Sequence, residues 1–322
     1  MIRVSIAALL ALLALRSLPQ SLPNYAWRQV APTGRGEFED GWRAGRWPMA
    51  LRPLVTGTGN DQALFMVGSR GVYRSTDGIS WTRTTDAPGW RETHGARSAL
   101  FRDKLVALGG QTGERYSADV WTSMDGMQWR LTAAPWPGRR NAGVAIFRNR
   151  LWLIGGQGDT QFADVWSSAD GAHWEQAVSS APWGSRTPHG GVVLRDSLWV
   201  IGGGPWDQAT ADVWVSGDGR EWQLALRSAP WGKRMFPGVA VFDGRLWVLG
   251  GVEPNGPRLQ DVWSSTDGRT WTRSTAPWTP RAAEHVVVFR SALWLYGGKG
   301  KEEDMSSGYA GDIWRMERAG TR

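Results

Sequence analysis

The sequence contains no cysteine among its 322 residues and only four histidines. The absence of cysteine excludes disulfides, thiolate metal sites, cysteine nucleophiles and the attachment of a lipid to a cysteine behind a signal segment. The chain also lacks runs of lysine or arginine, phosphate-binding loops and Ser-His-Asp signatures. Its formal net charge of +7 is spread along the chain. That distribution is typical of an ordinary soluble surface, so we expect no nucleic acid as a partner.

One uninterrupted apolar run stands near the N-terminus, from Val4 to Leu15, between Arg3 and Arg16. A basic start followed by such a run is typical of a signal peptide. The run is too short to cross a bilayer as a mature helix, which needs about 20 residues. We therefore predict a signal peptide over residues 1–21 and export to the periplasm or the cell exterior. The mature chain is expected to have no membrane span.

Tryptophan and glycine are abundant, with 23 and 42 copies, and they recur at regular intervals. Gly-Gly pairs begin at residues 109, 155, 202, 250 and 297, which are 46, 47, 48 and 47 residues apart. Each pair follows a short apolar run and precedes an aromatic residue in a later strand. In four of these copies an Asp-Gly pair and a second tryptophan then follow. Short apolar runs separated by turn signals, repeated at this period, predict a stack of four-stranded β-sheets.

The two ends of the chain complement each other. The aromatic residue of the third strand recurs six times, at Tyr73, Trp121, Trp166, Trp214, Trp263 and Trp314. The last copy has no fourth strand, whereas a strand-like segment around Trp27 stands alone. An open stack of sheets would expose unpaired edges, so pairing these two segments is favourable. The sequence therefore predicts an all-β fold, a single six-bladed β-propeller over residues 22–322 with four-stranded blades.

Several repeated residues have predicted structural roles. The Asp-Gly pairs supply the positive φ angles of the hairpin between strands three and four. A two-residue loop would place Trp166 and Trp174 on opposite faces of the sheet, and a three-residue loop would place them on the same face. The tryptophans of the Ala-Pro-Trp stretches and their counterparts are expected to wedge between blades, with stacking on sugar rings as the alternative: Trp136, Trp183, Trp231 and Trp278. The recurrent aspartates that open strand three are expected to cap backbone groups: Asp119, Asp164, Asp212, Asp261 and Asp312.

The order of apolar run, Gly-Gly, polar loop, aromatic residue and later tryptophan resembles the kelch repeat over about residues 49–317. The hairpin from Ser265 to Trp271 is similar to the Asp-box of sialidases but one residue short, so we interpret it as a turn. The kelch family includes galactose oxidase, bacterial sialic-acid mutarotases and propellers that only bind partners. Resemblance to galactose oxidase implies a copper site with a Tyr–Cys crosslink, which a chain without cysteine cannot form. The histidines also have no carboxylate–histidine spacing that would support a metal site, so we expect no cofactor and no metal.

Arginine recurs just before the innermost strand of the blades, on the face that carries the loops between blades. We call the opening of the central channel on this face the mouth. A cluster of guanidinium groups there could bind a carboxylate in a bidentate manner. The alternative is structural, since an arginine can also tie its loop to carbonyl groups of the adjacent blade. The predicted ligand-binding residues are Arg91, His94, Arg140, Arg186, His189, Arg234 and Arg281.

The preferred functional hypothesis is a monomeric binding module for a carbohydrate, a glycan or an acidic protein partner. A second hypothesis is an enzyme resembling the sialic-acid mutarotases. In that case Glu284 or His285 would serve as the general acid or base. A third hypothesis is a propeller that only binds other proteins.

Overall fold

The computed structural model describes residues 25–31, 35–36, 53–68, 71–86, 93–188, 190–204, 208–283, 285–300 and 310–319. The predicted signal peptide lies outside these residues. A short 3-10 helix spans Gly59–Asp61. The strands are β1 (Tyr25–Ala31), β2 (Arg35–Gly36), β3 (Leu54–Thr56), β4 (Ala63–Gly68), β5 (Gly71–Ser75), β6 (Ser80–Asp86), β7 (Arg97–Phe101), β8 (Lys104–Leu108), β9 (Gln111–Thr112), β10 (Arg115–Tyr116), β11 (Asp119–Ser123), β12 (Arg130–Ala133), β13 (Gly143–Phe147), β14 (Arg150–Gln157), β15 (Gln161–Ser168), β16 (Trp174–Val178), β17 (Gly190–Leu194), β18 (Ser197–Gly203), β19 (Thr210–Ser216), β20 (Gln223–Leu226), β21 (Gly238–Phe242), β22 (Arg245–Leu249), β23 (Asp261–Ser265), β24 (Thr272–Thr275), β25 (His285–Phe289), β26 (Ala292–Tyr296) and β27 (Ile313–Arg318).

These strands form six four-stranded antiparallel blades of a β-propeller. Blade 1 contains β3 to β6, and blade 2 contains β7, β8, β11 and β12. Blades 3, 4 and 5 contain β13–β16, β17–β20 and β21–β24, and blade 6 contains β25, β26, β27 and β1. The strand β2 runs parallel to β6 at the edge of blade 1, and β9 and β10 form a hairpin in the loop of blade 2. The predicted all-β, six-bladed fold is thus confirmed. Among the residues described, no helix is long and apolar enough to cross a membrane.

The N-terminal strand closes the ring by completing blade 6. Trp27 lies opposite Met316 in an antiparallel pair between β1 and β27. Its ring meets that of Trp278 edge to face, with centroids 4.3 Å apart and an angle of 87°. In blade 4, the equivalent rings of Trp222 and Trp183 meet at 4.4 Å and 88°. The first strand therefore supplies the same packing group as a fourth strand elsewhere in the ring.

The hairpin between strands three and four has five loop residues, because Ser168 pairs directly with Trp174. The Asp170 carboxylate accepts hydrogen bonds from the next two backbone N–H groups after Gly171, each at 2.8 Å. The Gly171 N–H donates to the Ser168 hydroxyl at 2.8 Å, and the glycine has φ +83°. Since the loop length is odd, Trp166 and Trp174 share one face of the sheet and pack in one cluster.

The hydrophobic core lies between neighbouring blades. The second strand of blade 3 is buried on both sides, and none of its residues from 151 to 154 is more than 2% exposed. The four tryptophans of the loops between blades are also buried, none more than 6% exposed: Trp136, Trp183, Trp231 and Trp278. Their predicted wedging role is confirmed, and their rings offer no open face to a sugar.

A glycine of each hairpin fits onto the preceding blade. The indole N–H of Trp152 donates to the Phe147 carbonyl at 2.9 Å, which fixes the ring at the hairpin end of blade 3. Gly219 of blade 4 lies directly on this ring, and a Cβ atom there would overlap three of its carbons. With φ +79° as well, position 219 favours glycine for two independent reasons.

Candidate functional site

Four arginines of the loops between blades form buried, bidentate ion pairs. Each guanidinium side chain is at most 4% exposed. The nitrogen–oxygen distances are between 2.5 and 3.1 Å. In each case the partner is the recurrent aspartate in or just before the third strand of the following blade. The pairs are Arg139–Asp164, Arg186–Asp212, Arg234–Asp261 and Arg281–Asp312.

Arg139, Arg186 and Arg281 each connect two blades, as Arg139 illustrates. Its backbone N–H donates to the Ser117 carbonyl at 3.0 Å, and its carbonyl accepts from Gly110 at 2.7 Å, both in blade 2. Its guanidinium donates to the Gly155 carbonyl of blade 3 at 3.0 Å. The side chain therefore holds the Gly-Gly turn of one blade while the backbone holds that of the blade before.

These contacts favour the structural alternative for Arg186, Arg234 and Arg281, which were predicted to bind ligand. Their guanidinium groups already donate to carboxylates and carbonyls below the surface, so they present no open donor at the mouth. The aspartates also differ from expectation. Instead of capping backbone groups, four of the five carboxylates bind an arginine, and each also accepts an indole N–H at 2.7 Å: Trp166, Trp214, Trp263 and Trp314.

Two of the ion pairs change the acidity of their carboxyl groups. Burial raises the pKa of Asp212 and Asp261, but the hydrogen bonds and charge of Arg186 and Arg234, respectively, outweigh it. The pKa of each carboxyl is therefore lowered from its ordinary value. Both aspartates remain ionised at neutral pH, which makes them unsuited to act there as proton donors.

Arg140 differs from its neighbour Arg139. It is half-buried, and its Nε and Nη2 atoms donate to the neutral side-chain amide of Gln157 at 3.3 and 3.1 Å. Its guanidinium carbon lies 5.9 Å from the ring centroid of Tyr116. No carboxylate of the described residues lies within ion-pairing distance, so the Arg140 charge is not neutralised by a direct partner.

His94 occupies in blade 2 the position that Arg140 occupies in blade 3. Its backbone N–H donates to the Gln111 carbonyl at 2.8 Å, and that of Arg140 donates to Gln157 at 2.7 Å. His94 is an exposed residue. Thr93 precedes His94 in the sequence and occupies the position that the buried Arg139 occupies in blade 3. We call His94, Gln111, Tyr116, Arg140 and Gln157 the polar sector of the mouth.

A cleft of about 430 Å³ opens beside the polar sector, between the loops of blades 2 and 3. Two carboxylates, an arginine, a threonine and two aromatic rings line most of it. These residues are Glu114, Arg115, Tyr116, Asp159, Thr160 and Phe162. Phe162 also covers the buried Arg139 guanidinium, with its ring centroid 4.1 Å from the carbon.

The corresponding pair of residues in blade 5 is apolar. Met235 and Val252 pair across the equivalent position of blade 5 and cluster with Ala209 and Ala282. Phe236 stands beside them, 37% exposed and with φ +51°. Blade 5 therefore has apolar side chains at the positions that Arg140 and Gln157 occupy in blade 3, whereas blade 6 has Lys299 at the position of Gln157.

The remaining predicted residues are placed as follows. His285 is half-buried at the start of β25, where it pairs with Tyr296. Arg91, His189 and Glu284 lie outside the described residues. Across the described part of the chain, no three His, Asp or Glu side chains come together as metal ligands.

The sequence prediction missed Gln111, Tyr116 and Gln157 and named Arg140 as the counterpart of the other arginines. One signal was available. The buried arginine always follows the loop tryptophan by three residues, as Arg139 follows Trp136, so Arg140 is the additional residue. The glutamines carry no comparable signal, because they follow the Gly-Gly pair in only two of the copies.

No protein-family model matches the sequence. No curated protein matches it either. Among solved structures, one titled "Structure of YjhT" is similar, with a TM-score of 0.67 and 16% sequence identity. The similarity covers 83% of this chain and 94% of that chain. At this identity the likeness concerns the fold alone, so the propeller is supported and the kelch assignment stays a resemblance.

Proposed function

We propose that this propeller is a binding module for acidic carbohydrates, with the ligand held at the polar sector of the mouth. The observation that carries the proposal is Arg140, a half-buried cation whose hydrogen-bonding partner is a neutral amide. A carboxylate, sulfate or phosphate group on a sugar would be a stronger acceptor for the same donors. Charge-assisted bonds of this kind are about twice as strong as neutral ones.

The groups around Arg140 suit the rest of a sugar. The Tyr116 ring can cover an apolar sugar face, and aromatic rings contribute much of the binding surface in such sites. Gln111 and Gln157 carry amides that can donate to and accept from hydroxyl groups. Glu114 and Asp159 in the adjacent cleft supply acceptors for further hydroxyls. The combination favours an acidic glycan over a simple inorganic anion.

The enzyme hypothesis has less support. A mutarotase using Glu284 or His285 would need neighbouring arginines to hold an acidic substrate. Arg281 already forms an ion pair with Asp312, so its guanidinium group is not available for this role. Arg234 is likewise committed to Asp261. Binding without catalysis therefore requires fewer assumptions about this mouth.

A glycan array probed with the purified protein tests the proposal. We expect acidic glycans to bind, and Arg140→Ala to weaken binding by about 10- to 100-fold, because a hydrogen bond to a charged group contributes ~1.5–3 kcal/mol. Tyr116→Ala should also weaken it. Arg220→Ala is the matched control, since Arg220 is a half-exposed arginine on the hairpin face. A blank array, or equal binding by wild type and Arg140→Ala, would refute the proposal.

We also propose that the chain is exported, on the basis of the apolar run from Val4 to Leu15. Expression with its own N-terminus followed by intact-mass measurement tests this. A product shortened near residue 21 in the exported fraction is expected. A product of full length that remains in the cytosol would contradict export.

A further inference from the structure

The inference concerns the outer edge of blade 2, on the face opposite the mouth, and it is clearest by comparison with blade 3. In blade 3, Arg150 at the start of the second strand donates to Glu175 at 2.7 Å and to the Ser167 hydroxyl at 3.2 Å. Arg220 of the next blade also donates to Glu175, at 3.1 Å. The charges of blade 3 therefore satisfy one another across the sheet.

Blade 2 places two cations at the equivalent positions. Lys104 pairs with Phe101 as Arg150 pairs with Phe147, and Arg130 pairs with Thr122 as Glu175 pairs with Ser167. Blade 2 thus has the basic residue Arg130 at the position where blade 3 has the acidic residue Glu175. A pocket of about 420 Å³ lies here, lined by Lys104, Thr122, Met124, Gln128 and Arg130 among others.

One carboxylate also lines this pocket, that of Asp125. It is committed to the hairpin, because its Oδ1 accepts from the N–H groups of Met127 and Gln128 at 2.8 and 2.9 Å. The Ser123 hydroxyl donates to the same oxygen at 3.0 Å. Lys104 and Arg130 are exposed residues, and neither forms an ion pair with a carboxylate of the described residues.

The same hairpin exposes apolar side chains. Of the five large apolar residues that are exposed in the described part of the chain, three are Met124, Met127 and Leu131, at 67%, 55% and 49%. The equivalent residues of blade 3 are Ala169, Ala172 and Gln176. Methionine side chains adapt to varied partners and are frequent at binding surfaces. Blade 2 therefore combines a cationic pocket with an exposed apolar rim.

The backbone of β12 is also available. It is the outermost strand of blade 2, and no described strand pairs with its outer edge. In blade 1, by contrast, β2 lies beside the outermost strand β6. An unpaired strand edge can accept an extended peptide, whose main chain supplies the hydrogen bonds while pockets select its side chains.

We propose that the outer edge of blade 2 docks an acidic, extended segment of a partner protein. Its backbone adds to β12, a carboxylate enters the pocket between Lys104 and Arg130, and apolar side chains of the segment cover Met124 and Met127. Opposite charge and exposed apolar area on the same hairpin select this occupant over a basic or purely polar one. This site is separate from the polar sector and does not depend on the proposed glycan binding.

The test uses an array of short synthetic peptides in which glutamate alternates with leucine or valine, matched by versions with glutamine or lysine instead of glutamate. The decisive variant is Arg130→Glu, which recreates the Lys/Arg–Glu arrangement of blade 3 and should fold normally by circular dichroism. We expect the glutamate peptides to bind wild type and to bind Arg130→Glu about tenfold more weakly, because a like charge now faces the carboxylate.

Two further variants separate the contributions. Met124→Ser combined with Met127→Ser should also weaken binding, whereas Arg269→Glu, an exposed charge reversal on the blade 5 hairpin, should leave it unchanged. The lysine peptides should gain affinity for Arg130→Glu. The proposal is overturned if glutamate peptides bind wild type no better than glutamine peptides, or bind Arg130→Glu and Arg269→Glu equally well.

Discussion

Removing the charge of one largely buried aspartate, Asp261, should destabilise the whole ring. Arg234 is 1% exposed, and it donates to both carboxylate oxygens of Asp261 at 2.7 and 3.0 Å and to the Gly250 carbonyl at 2.7 Å. The substitution Asp261→Asn keeps the shape of the side chain but leaves the guanidinium without a counter-charge. Breaking a buried pair in this way costs about 3–5 kcal/mol. That is a large share of the ~5–15 kcal/mol by which folded proteins are stable.

Urea unfolding followed by tryptophan fluorescence measures this loss. Glu175→Gln is the matched control, because Glu175 is 52% exposed and its ion pairs lie at the surface. Such pairs contribute less than about 1 kcal/mol. The double variant Arg234→Met with Asp261→Asn should recover part of the loss, since no unpaired charge stays buried. An Asp261→Asn protein as stable as Glu175→Gln would refute the reasoning.

The same pair makes stability depend on pH. The pKa of Asp261 is lowered in the folded protein from its ordinary value of 3.8. The ionised carboxylate therefore contributes its full stabilisation above that ordinary value, and the contribution is lost as the pH falls through the folded pKa. The difference in unfolding free energy between wild type and Asp261→Asn should be constant near neutral pH and shrink in acid. A difference that does not change down to acid pH would contradict this assignment.

Two further substitutions test the packing between blades. Gly219→Ala should destabilise by about 2 kcal/mol or more, because the added methyl group overlaps the Trp152 ring and the backbone has positive φ. Gly232→Ala, at φ +73° but with open space around it, should lose only the backbone part. Trp27→Ala should cost about 3 kcal/mol by loosening the closing strand, close to the loss for Trp222→Ala in blade 4. Equal effects of the two glycine variants, or a neutral Trp27→Ala, would contradict the packing described here.

Much of the fold could be predicted because short sequence patterns, repeated in each blade, specify its strands and turns. Each Gly-Gly and Asp-Gly pair marks a turn, and the number of copies of the repeat predicts the number of blades. The absence of a fourth strand after Trp314 was enough to predict that Trp27 completes blade 6. The length of the hairpin loop between strands three and four could not be predicted, because both two- and three-residue loops suit an Asp-Gly pair. In the structure, hydrogen bonds to the serine and aspartate side chains support a five-residue loop instead.

The candidate site was predicted less well, because the same residue type has different roles at adjacent positions. Arg139 and Arg140 are neighbours in the sequence, yet one is buried against Asp164 and the other half-buried against Gln157. A guanidinium pattern does not reveal whether a carboxylate some 25 residues later reaches it, since that depends on how two blades meet. The Lys104–Arg130 pocket was missed because it depends on the register in which the strands of blade 2 pair.

The sequence by itself therefore determined the architecture: strand periodicity, turn residues and complementary ends leave one economical closed ring. Only the tertiary structure decided which charged side chains form ion pairs inside that ring and which remain at its surface. The physical reason is that strand and turn preferences act over a few neighbouring residues. The pairing of a charge depends instead on side chains that are far apart in the sequence and that neighbouring blades bring within about 3 Å of each other.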